Sequence, residues 1–193
     1  MGTIKTTNIE PIANNGTVTL GSSGDTFTVP SGVTVNMSSA TQTGVGGANT
    51  PYFSVYKSSG QTINHNSTTK VTFSTADTES ASGVFDLSNN KFTVVTAGKY
   101  NFQYKLQFYD GDNNLKRVDA LIYKNGSQDR KDIFFMANGG IREVCLTASF
   151  IQNLSASDYL EVYVFTNTTD SGTSSLEGGG DYQTYFSGFK IIT

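Results

Sequence analysis

Residues 98–109 alternate by twos. Tyr100, Phe102, Tyr104, Leu106 and Phe108 fall on one side, and Asn101, Gln103, Lys105 and Gln107 on the other. Strand side chains point to opposite faces in succession, so the pattern predicts a long strand with one buried and one polar face. Gly98 before it and Asp110-Gly111-Asp112-Asn113-Asn114 after it are turn chemistry. A fully buried large side chain contributes roughly 1.5–3 kcal/mol, so five on one face mark a core strand. Strand-like runs recur at 52–56, 70–74, 84–86, 91–95, 117–124, 131–136, 142–151, 158–165 and 185–192. Asn125-Gly126 between two of them is a hairpin turn signal. No window of a dozen residues keeps an apolar period of 3.6 residues. The expected class is all-β, a ten-stranded sandwich or jelly roll over residues 51–193.

Two further patterns bear on assembly. Leu160, Val162 and Val164 alternate with Tyr159, Tyr163 and Phe165, so this run is apolar on both faces. One sandwich core covers one face, and a closed symmetric oligomer would cover the second. Residues 1–50 differ from the rest. Short β-prone runs at 17–20, 26–29 and 33–36 alternate with Gly21-Ser22-Ser23-Gly24-Asp25 and Pro30-Ser31-Gly32. Each run is too small to bury a core alone, and such strands pack against copies of themselves. Residues 38–50 are small, polar and Gly-rich, which reads as a linker. The expected division is an N-terminal β-rich anchor, stem and linker over 1–50 and a head over 51–193.

Composition narrows the chemistry. The 193 residues include 20 Gly, 13 Phe, 10 Tyr and no Trp, with a net charge of −3. No basic run exists to follow a phosphate backbone, which argues against a nucleic-acid partner. No stretch reaches the length of a membrane-spanning helix, so no membrane insertion is expected. The single cysteine, Cys145, excludes an intrachain disulfide and reads as a small buried or half-buried residue. The single histidine, His65, sits among turn formers in Asn64-His65-Asn66 and reads as a solvated loop residue. With one histidine and no Cys/His cluster, neither a nucleophile–base pair nor structural zinc is expected. The carboxylate pairs Asp77/Glu79 and Asp129/Asp132 have glycosidase-like chemistry but no sequence feature that sets them in one cleft. No enzymatic activity and no cofactor are expected.

The order of motifs from Tyr52 to Ile192 resembles the globular head of complement component C1q, the C1q/tumour-necrosis-factor-like jelly roll. Tyr52-Phe53-Ser54-Val55 is similar to that family's opening "AFSA" strand. Residues 83–94 resemble its "Y-D-x-x-x-G-x-F-x-v" stretch, and Ala97-Gly98-Lys99-Tyr100-Asn101-Phe102 its "x-G-x-Y-x-F". Lys124-Asn125-Gly126 and Phe186-Ser187-Gly188-Phe189 are similar to "k-N-G" and to the closing "F-S-G-F". Asn90 and Ser157 stand where the family carries glycine, and no collagen repeat precedes the head. The resemblance implies a homotrimer packed around apolar faces and a binding role without catalysis. Residues 16–34 resemble a stem sequence that recurs in structural and tail-fibre proteins of marine bacteriophages.

If successive strands reverse as the first resemblance implies, the loops 110–115, 137–140 and 167–184 lie at the end far from the stem. The candidate receptor-binding residues there are Asp110, Asp112, Asn113, Asn138, Thr168, Asp170, Asp181 and Tyr182. Loops on a rigid scaffold carry recognition, and polar loops spotted with an aromatic suit glycans. Asp110-Gly111-Asp112 begins like a calcium loop, but Leu115 and Leu121 stand where an EF-hand needs Gly and Glu. Asp110 and Asp112 remain weak calcium candidates. The expectation is a bacteriophage virion fibre or decoration. Its trimeric head meets a host-surface glycan or protein, and its N-terminal segment meets other virion proteins. The alternatives are a purely architectural capsid or collar protein and a secreted C1q-like lectin.

Overall fold

The computed structural model describes Thr19, residues 22–35 and residues 49–191. These carry thirteen strands and no helix. In chain order they are β1 (Tyr52–Tyr56), β2 (Gln61–Ile63), β3 (Ser67–Lys70), β4 (Thr75–Glu79), β5 (Phe85–Asp86), β6 (Lys91–Thr93) and β7 (Gly98–Tyr109). There follow β8 (Leu115–Lys124), β9 (Ser127–Phe135), β10 (Glu143–Leu154), β11 (Tyr159–Thr168), β12 (Ser174–Leu176) and β13 (Tyr185–Lys190).

β7 organises the larger of two antiparallel sheets. β10 pairs with its whole length, from Glu143 opposite Tyr109 to Leu154 opposite Gly98. On its other side β13 takes Tyr100–Lys105, and β12 takes Phe108 and Tyr109. β1 and β4 continue the sheet beyond β13, and β2 continues it beyond β12. The second sheet runs β5-β6-β11-β8-β9. β3 flanks β11 beside it, with Asn66 N–H on the Thr166 carbonyl and Val71 N–H on the Val162 carbonyl. Each sheet ends in an open edge, β9 in one and β10 in the other.

The two sheets enclose the expected core. Tyr100, Phe102, Tyr104, Leu106 and Phe108 of β7 are all buried. They meet Val118, Ala120 and Ile122 of β8 and Leu160, Val162 and Val164 of β11 in one cluster. Phe53 stacks on Phe92 at 4.9 Å between ring centroids, and Phe102 on Phe186 at 5.8 Å. Such offset and edge-on pairs add roughly 0.5–1.5 kcal/mol each beyond area burial.

The structure departs from the ten expected strands in places with physical reasons. The run 70–74 is split, because β3 ends at Lys70 and β4 begins at Thr75. Val71 and Phe73 still point inward, but Phe73 N–H goes to the Asn90 side chain at 2.6 Å and not to a ladder. β9 begins at Ser127 because the Asn125-Gly126 turn, with both φ angles positive, pairs Lys124 with Ser127 at once. The second face of β11 is partly covered within the chain itself, with Tyr159, Tyr163 and Phe165 half-buried. Tyr123 stacks on Tyr163 at 4.2 Å, the Arg117 guanidinium lies over Phe165 at 5.2 Å, and Lys70 bonds Glu161 at 2.6 Å. That face therefore does not by itself call for an oligomer.

The chain divides into two compact units, Met1–Thr43 and Gly44–Thr193. In the first, residues 22–35 form turns at Ser23-Gly24 and Ser31-Gly32 and no strand. Asp25 N–H meets the Ser22 carbonyl at 3.0 Å, and Val33 N–H the Pro30 carbonyl at 3.3 Å. Phe27, Val29, Val33 and Val35 are exposed. The runs expected as strands at 26–29 and 33–36 thus lack a partner strand among the described residues. The run 17–20 (apart from Thr19), Asn36 and most of the expected linker lie outside the described residues.

Candidate functional site

The end of the sandwich where β7 finishes is built from three loops. Asp110 N–H donates to the Arg142 carbonyl at 2.8 Å, and Leu115 and Ile141 exchange backbone bonds at 3.0 and 2.9 Å. These join the loop after β7 to the loop after β9. Gly140 packs so tightly there that an added Cβ would stand 2.4 Å from the Asn113 carbonyl oxygen. Thr169, just past β11, donates its N–H to the Asn114 carbonyl at 2.9 Å and its hydroxyl to the Asn114 side chain at 2.6 Å. Opposite this end, the Asn125-Gly126 turn and the turn before β11 share the base with Pro51, whose carbonyl accepts from Lys190 N–H.

The eight candidate residues divide into three groups. Asp112, Asn113 and Asn138 are exposed at the apex, on the two loops that meet through Gly140. Asp110 and Thr168 are buried, 7% and 3% exposed, and spend their polar atoms inside the loops. The Asp110 carboxylate accepts from Asp112 N–H at 2.9 Å, and the Thr168 hydroxyl donates to the Gly172 carbonyl at 2.9 Å. Asp170 is exposed beside Thr168, and its carboxylate accepts from Gly172 N–H, which holds it below the usual carboxylate range. Asp181 and Tyr182 stand apart. The Tyr182 ring lies 4.8 Å from that of Tyr56, and its hydroxyl donates to Asp77 at 2.8 Å on the β1–β4 margin. That bond pushes the Tyr182 phenol up.

Sequence reasoning missed His65. It is half-buried, and its Nδ1 accepts from Thr168 N–H at 3.1 Å, so it braces the apex and is not a solvated loop residue. The neighbouring Asn66 side chain accepts from Asn167 Nδ2 at 2.7 Å. Partners 103 residues apart leave no local signal for this bond. Arg142 was also missed. It crosses from its own loop to the Tyr109 hydroxyl at 2.8 Å.

Beside the apex lies a shallow polar concavity of about 240 Å³, lined by Thr62, Tyr109, Asp110, Gly111, Thr173, Ser174 and Ser175. A groove of about 640 Å³ at the base, walled by Pro51, Ala81, Val84, Phe92 and Val95, shares none of the candidate residues. A third hollow of about 340 Å³ opens between the β9 and β10 edges, where the Tyr104 hydroxyl donates to Asp132. Among the described residues no three His, Cys, Asp or Glu side chains converge on one point. Asp110 and Asp112 alone fall well short of the roughly six to eight oxygens of a calcium shell.

The carboxylate pairs serve the fold. Glu79 accepts from Phe85 N–H at 2.8 Å and Gly83 N–H at 3.1 Å, while Asp77 holds Tyr182. Asp129 accepts from Gln152, and Asp132 from Tyr104. Cys145 is exposed on the outward side of β10, opposite Gln107, and is not the buried or half-buried residue expected. Partial desolvation pushes its thiol up, away from a reactive thiolate.

No protein-family model matches the chain, and no curated protein matches it in sequence. Solved structures do match its fold. The globular domain of zebrafish complement 1qA protein aligns with a TM-score of 0.51 at 16% identity, covering 73% of this chain and 97% of that one. Murine APRIL aligns at 0.54 and 12% identity, covering 73% and 98%. Eiger TNF from S. frugiperda aligns at 0.52 and 11%, covering 73% and 93%. The head has the C1q/TNF-like jelly-roll fold.

Proposed function

We propose that this chain is a structural fibre or decoration protein of a bacteriophage particle whose C1q/TNF-like head assembles as a homotrimer and adheres to the host surface. On this reading the N-terminal segment attaches to other virion proteins and the head acts by binding, without catalysis. The observation that carries it is the placement of Asp112, Asn113, Asn138 and Asp170, exposed on interlocked loops at the end of the head opposite Pro51. A scaffold that braces polar loops away from its point of attachment suits recognition. The adjoining polar concavity lies below the roughly 300–1,000 Å³ of small-molecule pockets, which favours the edge of a surface glycan over an engulfed ligand. The stem-like sequence of residues 16–34 supports the phage setting.

The test is binding of the purified full chain to arrayed bacterial lipopolysaccharides and capsular polysaccharides. The expected result is retention on a subset of them, lost in a chain carrying Asp112→Ala, Asn138→Ala and Asp170→Ala. Unchanged retention in that variant sinks the apical reading.

A second reading is architectural, and one observation favours it. Asp110 accepts from Asp112 N–H, Thr168 donates to the Gly172 carbonyl and Thr169 to the Asn114 side chain, so these polar atoms are satisfied inside the apex, as in solvated caps. Retention on none of the arrayed polysaccharides, together with loss of particle stability when the protein is deleted, selects that reading.

A further inference from the structure

The described residues contain two Asn-Gly pairs, Asn125-Gly126 and Asn138-Gly139. In such a pair the glycine nitrogen can attack the asparagine side-chain carbonyl carbon. A C–N bond forms, the amide nitrogen leaves as ammonia, and a succinimide ring results. Water then opens the ring at one carbonyl or the other, giving aspartate or isoaspartate. Glycine permits the attack because no Cβ obstructs its nitrogen. Whether the side chain can swing into line depends on the fold.

Asn125 is held. Its Nδ2 donates to Asp158 at 2.7 Å, and its Oδ1 accepts from Tyr159 N–H at 2.9 Å. Its own N–H donates to the Tyr159 carbonyl at 3.0 Å, within the tight turn between β8 and β9. Both ends of the amide and the backbone are therefore tied to the neighbouring turn. Asn138 is the opposite case. It is exposed, lies outside any strand, and its side chain makes no hydrogen bond among the described residues. Nothing approaches within 4 Å of the place a Cβ would occupy on Gly139.

We propose that Asn138 is a self-modification site, converting through a succinimide to isoaspartate and aspartate, and that the fold protects Asn125 from the same reaction. Each conversion replaces a neutral amide by a carboxylate in the loop that packs against the one carrying Asp112. The isoaspartate product also adds a carbon to the main chain two residues before Gly140, which has no slack against Asn113. The bonds that tie Asp110 to Arg142 and Leu115 to Ile141 are then strained. The inference concerns the chemistry of the loop and stands whether or not the apex binds a host.

The experiment incubates the full chain, folded, at mildly alkaline pH in heavy-oxygen water, and follows it by tryptic peptide mapping. Peptide 132–142 reports Asn138 and peptide 125–130 reports Asn125. The expected result is heavy oxygen and an isoaspartate–aspartate mixture in the first peptide, at a rate at least about tenfold that of the second, a barrier difference of about 1.4 kcal/mol. In denaturant the two rates converge. Asp158→Ala, which releases the Nδ2 end of the Asn125 amide, raises the rate in peptide 125–130, and Asn138→Gln removes the signal from peptide 132–142. An intact Asn138 amide in the folded chain overturns the proposal. So does a folded-state rate ratio equal to that in denaturant.

Discussion

Ser157 stands at φ 72° in the turn ahead of β11, where the related jelly-roll motif carries glycine. A side chain in this left-handed region costs roughly 1–2 kcal/mol, and glycine gives back roughly 0.5–1 kcal/mol of that in backbone entropy. Ser157→Gly is therefore expected to stabilise the head by about 0.5–1 kcal/mol in urea melts. Asn90, the other departure from the motif, sits at φ 49° and tolerates the same region because asparagine visits it readily. Gly188 carries the opposite sign. Its Cβ would stand 2.4 Å from Phe102 Cδ1 and 3.1 Å from Phe53 Cε1, two rings packed in the core. Gly188→Ala is expected to cost about 1–3 kcal/mol by overpacking, and an unchanged midpoint would refute this account of the motif's glycine. Asp158 adds a dependence on pH. Bonds from Asn125 and Lys124 hold its carboxyl at about 2, below an ordinary aspartate near 3.9. The unfolded chain therefore binds more protons between those values, and stability falls as pH drops through that window. The contribution is fully present above about pH 4. Asp158→Asn should flatten the urea midpoint between those limits, and an unaltered acid slope would assign the slope elsewhere.

At the scale of elements, the alternation of β7 was readable because one face is wholly buried and the other is not. Phe102 and Leu106 are 0% exposed, while Gln103 is exposed between them. The strand that begins at Ser127 was legible only from 131 on and without a clean alternation, because β9 is an edge. Its inward positions carry Arg130 and Asp132, and Asp132 meets the Tyr104 hydroxyl at the rim of the core. Inward charges on an edge strand discourage pairing with other chains, and they erase the period-two pattern. β2 and β12 were hidden for another reason. Three residues each, mostly Ser, Thr and Gln, they form through backbone pairing, β12 on β7 and β2 on β12. The apex was legible as a set of loops on one end once strands reverse as the jelly-roll resemblance implies. Its bracing was not, because His65 and Thr168 meet only through the fold. β12 has one large anchor, Leu176, buried at 0% exposure. Leu176→Ala is expected to cost about 2–5 kcal/mol and to speed amide exchange at Thr62 and Ile63 of β2. Exchange confined to β13 would show that β12 does not hold β2 in place.

For the whole molecule, the two outward sheet faces differ in charge. The five-stranded sheet carries a grid of ion pairs, Arg117 and Lys131 on Asp119, Lys70 on Glu161 and Lys124 on Asp158. The seven-stranded sheet turns outward Tyr52, Ser54 and Tyr56 of β1 and Tyr185, Ser187 and Phe189 of β13. Beside them lie Asn101, Gln103, Lys105 and Gln107 of β7 and Thr147, Ser149 and Ile151 of β10. Lys105 is the one charge in that central patch. Asn101 Oδ1 there is buried without a hydrogen-bond partner among the described residues. Interface cores are depleted of charge and enriched in aromatics, so the proposed homotrimer is expected to bury the seven-stranded face. Gln103 lies near its centre and is exposed, and Gln103→Arg sets like charges against one another around a threefold axis. The wild-type chain is expected to sediment as a trimer and the Gln103→Arg chain as a monomer with an unchanged circular dichroism spectrum. Thr68→Arg, at an exposed position of β3, should leave the trimer intact. A wild-type monomer would reject the assembly, and a trimer that survives Gln103→Arg but fails with Thr68→Arg would move its interface to the other sheet.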